Sequence, residues 1–139
     1  MIESMKNTLA LIGRVLLSLI FVLSGFTKIT GWSDTAAYMA SKGMTAVPFF
    51  LSMAILLELG AGLMVMLGYR ARLGALGLII FVIPTTLIFH NFWALQGSEQ
   101  QLQMIMFLKN LAMLGGLLII AAYGPGMLSL DGRRISTQS

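Results

Sequence analysis

The chain has 139 residues, of which 58% are hydrophobic and 10% charged, with nine basic and five acidic residues and a net charge of +4. Soluble domains carry about 25% charged residues, so this supply is too small to cover a water-facing surface. That excludes a soluble globule, a disordered tail and a nucleic-acid binder with a basic face, and leaves an integral membrane protein; the mean hydropathy of +0.89 agrees.

A hydrocarbon core about 30 Å thick needs about 20 residues per helical crossing, so the length suits one domain with four crossings. Four apolar runs of that size occur, at residues 9–27, 47–68, 71–89 and 104–123. They are too long and continuous for barrel strands, which alternate over about ten residues. The expected fold is all-α, an integral membrane four-helix bundle over residues 1–139. Lys6 and residues 15–23 imitate the n-region and h-region of a signal peptide, but Arg14 is badly placed for one and no A-x-A site follows, so no cleavage is expected.

The loop after the first run predicts a short interfacial helix over residues 35–42, capped by Ser33 or Asp34 and ended by Gly43. In the third run, Pro84 removes a helical hydrogen bond one turn before the outer end. Thr86 and His90, four residues apart, share a face there. With four crossings, the termini and the 68–71 turn lie on one side together with Lys6, Arg70, Arg72, Arg133 and Arg134. Positive residues favour the cytoplasm, so both termini are expected there, with loops 28–46 and 91–103 outside.

Arg14, Glu58 and Lys109 interrupt the apolar runs. A charge at mid-bilayer costs about 2.5–3.5 kcal/mol on insertion scales, so each needs a partner, water or a use. From a rise of about 1.5 Å per residue, Arg14 and Glu58 differ in depth by about 6 Å, and Glu58 and Lys109 by about 8 Å. An Arg14–Glu58 ion pair is therefore expected, structural or functional, with Lys109 above it. On the first span, Arg14, Ser18, Phe21, Gly25 and Lys28 form one stripe; Lys109 shares a face with Ala112, Met113 and Gly116, and Glu58 sits beside Ala54, Ala61 and Gly62. These placements predict a polar cavity open to the outer side, lined by Lys28, Glu58, His90, Lys109 and Asn110, with Asn91 nearby. The plainer alternatives are an interfacial His90 and a snorkelling Lys28.

Other chemistry is largely excluded. There is no cysteine, so disulfides, thiolate metal sites and iron–sulfur clusters are absent, and a single histidine gives neither bis-His haem nor a metal pair on a helix. No metal site is expected. No phosphate loop, nucleophile elbow or dinucleotide fingerprint occurs, so the sequence carries no self-sufficient catalytic motif. The eleven methionines read as apolar filling. Ala112/Gly116 and Ala71/Ala75 form small-residue faces that suit either a homo-oligomer or packing within one bundle.

The order of several motifs carries a family resemblance. These are Gly13-Arg14, the segment Gly25-Phe26-Thr27-Lys28-Ile29-Thr30-Gly31, Tyr38-Met39, Gly43, Glu58-Leu59-Gly60, Leu67-Gly68 and Arg72. Phe89-His90, Met106-Phe107, Lys109-Asn110, Gly115-Gly116, Gly124-Pro125-Gly126 and Ser129-Leu130-Asp131 complete the set. Together they resemble the DoxX family of small four-span membrane proteins, over residues 9–133. The resemblance implies a protein of the bacterial or archaeal cytoplasmic (inner) membrane. It also implies a quinone-linked role as a subunit of a membrane oxidoreductase, working with a redox protein partner.

In that reading His90 and Lys109 hydrogen-bond a quinone, Glu58 relays protons, and no other cofactor is evident. A small-solute binder or transporter and a noncatalytic scaffold for a redox partner are the alternatives. Lipid bilayer is a partner in all three, and nucleic acid in none.

Overall fold

A computed structural model describes residues 1–136, with side chains through Arg134. The last three residues of the single domain expected above lie outside the described residues. All regular structure in this region is helical. Helix α1 (Ile2–Thr30) is followed by α2 (Trp32–Ser41) and by α3 (Val47–Ile55). A π-helical turn (Leu56–Ala61) joins α3 to α4 (Gly62–Leu67), and these three pieces make the second span. Helices α5 (Ala71–Phe89) and α6 (Gly97–Tyr123) follow, joined through a 3₁₀ turn (Phe92–Ala94), and α7 (Leu130–Ser136) closes the described chain.

Among the described residues four helices are long and apolar enough to cross a membrane, as expected. The first and fourth begin seven residues before the apolar runs at residues 9 and 104 do. Apolar composition marks the part that suits hydrocarbon, whereas helical hydrogen bonding continues into the polar flank. The interfacial helix also begins earlier than expected, at Trp32. Its N-cap is Gly31, and neither Ser33 nor Asp34 makes a capping hydrogen bond. Thr35 instead donates both its amide and its hydroxyl to the Gly31 carbonyl, at 3.0 and 2.9 Å. Gly43, with φ of 79°, lies just beyond the end, in the left-handed region that favours glycine.

Around the bundle, α1 packs on the π turn and α4, these pack on α5, and α5 makes the broadest contact with α6. Helix α6 returns to α1 only over a short stretch, where Gly116 faces Leu17. The apolar core includes Phe21, Val65, Ala71, Ala75, Leu78, Val82, Leu117 and Ile120. The small-residue pair Ala71 and Ala75 is thus spent inside the bundle. Only 17–28% of each span's apolar window is buried within the protein. Side chains such as Leu16, Leu23, Phe26, Ile80 and Ile119 face outward, so lipid covers most of the apolar surface.

The end carrying the termini is tied together by three residues. The Arg14 guanidinium, 3% exposed, donates to the carbonyl oxygens of Met66 (3.2 Å), Leu128 (3.0 Å) and Pro125. Asp131 accepts the amides of Arg70 and Ala71 at 2.8 and 2.9 Å, and its own amide donates to Gly68. These bonds satisfy two free amides at the start of α5 and hold Arg70 in its left-handed conformation, φ 46°. Ser129 donates to the Gly126 carbonyl and accepts from the Gly132 amide at 3.0 Å.

The expected Arg14–Glu58 pair does not form. A helical side chain leans toward the N-terminus of its own helix. On α1 this sends Arg14 toward the end carrying the termini, and it sends Lys28, from the other end, into the span where Glu58 lies.

Candidate functional site: a polar pocket in the half of the bundle away from the termini

The half of the bundle away from the termini holds the remaining intramembrane polar groups. Their positions follow from local helix geometry. Ser24 and Lys28 are one turn apart on α1, and the Lys28 ammonium donates to Ser24 Oγ at 2.6 Å. The same ammonium donates to Glu58 Oε1 at 3.2 Å and lies 2.9 Å from Oε2. Glu58 is 3% exposed and sits in the π turn. A π turn shifts the side chains that follow it around the helix axis and is frequent at functional sites.

Gly25 allows this approach: a Cβ there would lie 2.7 Å from Leu59 Cγ and 3.2 Å from Glu58 Cβ. The small residue expected on the buried stripe of α1 therefore has a definite task, to let α1 reach the π turn. That stripe is borne out, with Arg14, Ser18, Phe21 and Gly25 all buried.

Helices α5 and α6 supply the opposite wall. Thr86 donates to the Val82 carbonyl and accepts from Asn110 Nδ2 at 3.0 Å, both side chains being buried. His90 Nδ1 lies 2.8 Å from Gln103 Oε1. An amide oxygen only accepts, so Nδ1 is the donor in this contact. Lys109 is exposed, and its ammonium meets Met106 Sδ at 3.3 Å. It makes no ion pair among the described residues.

The inward face of α6 differs from the expected one. Its buried residues are Asn110, Leu117 and Ile120, one position beyond the Lys109 stripe, which leaves Lys109 at the edge facing the α1–α6 seam.

These side chains line a cavity of about 200 Å³. Lys28, Glu58, His90, Lys109 and Asn110 all border it, and Phe21 and Val82 of the core form part of its wall. Asn91 does not border it; its carbonyl instead accepts the Ala94 amide in the 3₁₀ turn. Beside the cavity runs an apolar groove of about 740 Å³ between α2, α3 and α5, lined by residues such as Met39, Phe50, Leu57, Ile80 and Ile88. The two share Lys28, Phe81, Thr85 and His90 as common wall. Pro84 lies inside α5, which continues through it to Phe89, and borders the groove.

Two participants escape a sequence reading focused on charge. Ser24 is visible one turn before Lys28. Gln103 lies seven residues before Asn110, hence on the same helical face two turns earlier. Nothing else marks either of them. No cluster of three or more acidic or histidine side chains able to hold a metal occurs among the described residues.

Comparisons with known proteins bear on the whole chain. No solved structure matches it. The inner membrane protein YphA of Escherichia coli (strain K12) is 36% identical over 128 residues, covering 92% of this chain and 91% of that protein. The inner membrane protein YqjF of the same organism is 35% identical over 129 residues, covering 93% and 94%. A Surfeit locus protein 4 homolog of Drosophila melanogaster is 29% identical over 129 residues, 91% of this chain but 41% of its own length. The DoxX family model matches residues 9–91, a segment that carries Arg14, Lys28, Glu58 and His90. On this match and the near full-length similarity to the two inner membrane proteins, the chain belongs to the DoxX family.

Proposed function

We propose that this protein is a quinone-binding subunit of a membrane oxidoreductase, holding the ring in the polar pocket and the isoprenoid tail in the adjoining groove. The observation that carries the reading is the wall shared by pocket and groove. Small-molecule sites usually enclose about 300–1,000 Å³. At about 200 Å³ the polar pocket falls short of that range, and the groove supplies the missing volume as apolar surface. A small polar solute uses only the pocket, whereas a ligand with a polar head and an apolar tail uses both.

The pocket offers the hydrogen-bonding groups that the two redox forms of such a ring require. Lys109 spends one ammonium proton on Met106, and Asn110 spends one amide proton on Thr86, so both keep donors for carbonyl oxygens. Glu58 Oε2, which makes no hydrogen bond of its own, and, when the ring is neutral, His90 Nε2 are acceptors for hydroxyl protons. Glu58 and His90 exchange protons in this reading, Lys109 and Asn110 orient the ring, and the electrons come from a redox partner or a diffusing reductant. The basic residues gathered at the end with the termini support a cytoplasmic-membrane protein with both termini inside and the pocket toward the outer face.

Mass spectrometry of small molecules retained after mild purification tests the reading. The wild type is expected to retain quinone, and Lys109→Ala to lose most of it. A wild type that retains none, and whose unfolding temperature is unmoved by added quinone, overturns it. Because the chain has no cysteine, single cysteines at Ser98 and Ser4 test orientation. Only the first is expected to react with an impermeant maleimide added outside.

A further inference from the structure

A second cavity, of about 510 Å³, lies at the opposite end of the bundle, and nothing in the reading above uses it. It is bordered by Asn7 of α1, by Arg70, Arg72 and Leu73 at the start of α5, and by the segment that leaves α6 at Tyr123. The wall on that side is rigid because Arg14 holds the carbonyls of Pro125 and Leu128. The Arg72 guanidinium lies against Gly124: a Cβ there would stand 3.4 Å from Nε and 3.6 Å from Nη2. The absence of a side chain at Gly124 lets the guanidinium approach the backbone there, and both residues border the cavity.

Asp131 also borders this cavity, so its lining carries two guanidinium groups against one carboxylate and is net positive. Glu3 lies 3.7 Å from Lys6. Both carboxylate oxygens of Asp131 accept backbone amides of Arg70 and Ala71. Arg72 makes neither a hydrogen bond nor an ion pair with the described residues. A guanidinium without a counter-ion beside a preformed cavity calls for an anion, and its planar donor fork matches a phosphate in two-point contact.

The surroundings indicate which phosphate. The cavity sits where α5 begins and α6 ends, at headgroup depth for a chain whose spans cross hydrocarbon. Leu73 and Tyr123 border it and, with Leu76 one turn on along α5 and Ile119 one turn back along α6, are exposed, 49–83%, so that an apolar strip runs from its mouth along the bundle. A free anion has no use for that strip, while the acyl chains of a lipid cover it. We propose that this cavity is a binding site for the phosphodiester of an anionic phospholipid, with Arg72 as its anchor, Arg70 beside it and the acyl chains on the strip. This site stands independently of the quinone reading.

The test uses the full chain in phosphatidylcholine vesicles with and without phosphatidylglycerol, followed by mild extraction and quantification of retained lipid. The wild type is expected to retain phosphatidylglycerol in preference to phosphatidylcholine. Arg72→Gln is expected to lower that retention by about five-fold, as the loss of one basic contact near a membrane surface implies. Lys6→Gln, which removes a charge at the same end that Glu3 already neutralises, is expected to leave retention unchanged. Equal losses in the two variants reduce the effect to diffuse surface charge and overturn the site, as does an Arg72→Gln protein that retains lipid like the wild type. Inorganic phosphate is the remaining arm and needs no variant. If it displaces the retained lipid, the cavity is a free-anion site and the lipid assignment fails; if it does not, the lipid assignment stands.

Discussion

The Lys28 ammonium stands 2.9 Å from Oε2 of Glu58, tying the C-terminal end of α1 to the π turn of the second span. Glu58 is almost fully buried, whereas 23% of the Lys28 side chain is exposed, so the pair closes the pocket on one side and reaches its rim on the other. Removing one member of a buried pair costs about 3–5 kcal/mol because the other charge is stranded. Lys28→Ala is therefore expected to destabilise the protein by about 3 kcal/mol, the low end suiting the partly exposed lysine. The double variant Lys28→Met with Glu58→Gln is expected to regain most of that. Thermal unfolding in detergent, followed by tryptophan fluorescence, checks both.

Gly25 gives a steric test of the same contact. A methyl group at this position falls 2.7 Å from Leu59 Cγ, so Gly25→Ala must push α1 and the π turn apart. The expected cost is about 1–3 kcal/mol, as for other overpacked interiors. Gly13→Ala, on the same helix with nothing within 4 Å, is expected to change little. Equal unfolding temperatures for the two variants would count against the close approach.

Lys109 separates binding from folding. The only hydrogen bond of its ammonium among the described residues is to a thioether, and the side chain is exposed. Lys109→Ala is expected not to destabilise the protein, because it breaks no ion pair among the described residues and removes a charge from an apolar span. Ligand retention is expected to fall in the same preparation. A parallel loss of stability and retention would assign Lys109 to the scaffold instead.

Arg14 makes the opposite prediction. Its guanidinium supplies charged donors to the carbonyls of Met66, Pro125 and Leu128, and a lysine lacks the fork to reach all three. Arg14→Lys and Arg14→Met are both expected to loosen the segment after Tyr123, the second by at least about 2 kcal/mol. Faster chymotryptic cleavage at Tyr123, with the spans intact, is the readout.

Asp131 caps α5 from a distance in sequence, through the amides of Arg70 and Ala71. Asp131→Ala is expected to cost about 1 kcal/mol, as for the loss of other helix caps. Amide hydrogen exchange should rise at the first turn of α5 and at Gly132, while Asn110 in α6 stays protected.

The membrane class, the four spans and five of the polar residues that border the pocket are legible before any coordinates. An apolar run of about 20 residues has few alternatives to a helix in lipid, because backbone groups must be satisfied within the segment. A charge inside such a run stands out for its cost. Glu58 and Lys109 stand out on these grounds, Lys28 and His90 by their place at the ends of apolar runs, and all four border one cavity together with Asn110.

Partner choice was not legible. Depth counted along the helix axis put Arg14 within reach of Glu58, but depth alone ignores which way a side chain leans. Arg14 and Lys28 lie on one stripe of α1 and both lean toward its N-terminus, so one leaves the bundle centre and the other enters it. The π turn, the Asp131 cap and the groove beside the pocket likewise depend on contacts between segments far apart in the chain. Composition and apolar spacing suffice for what lipid demands of each helix alone. Which charges meet, and what space they leave between them, is settled only when the helices pack, because a single helix has no information about the face its neighbour presents.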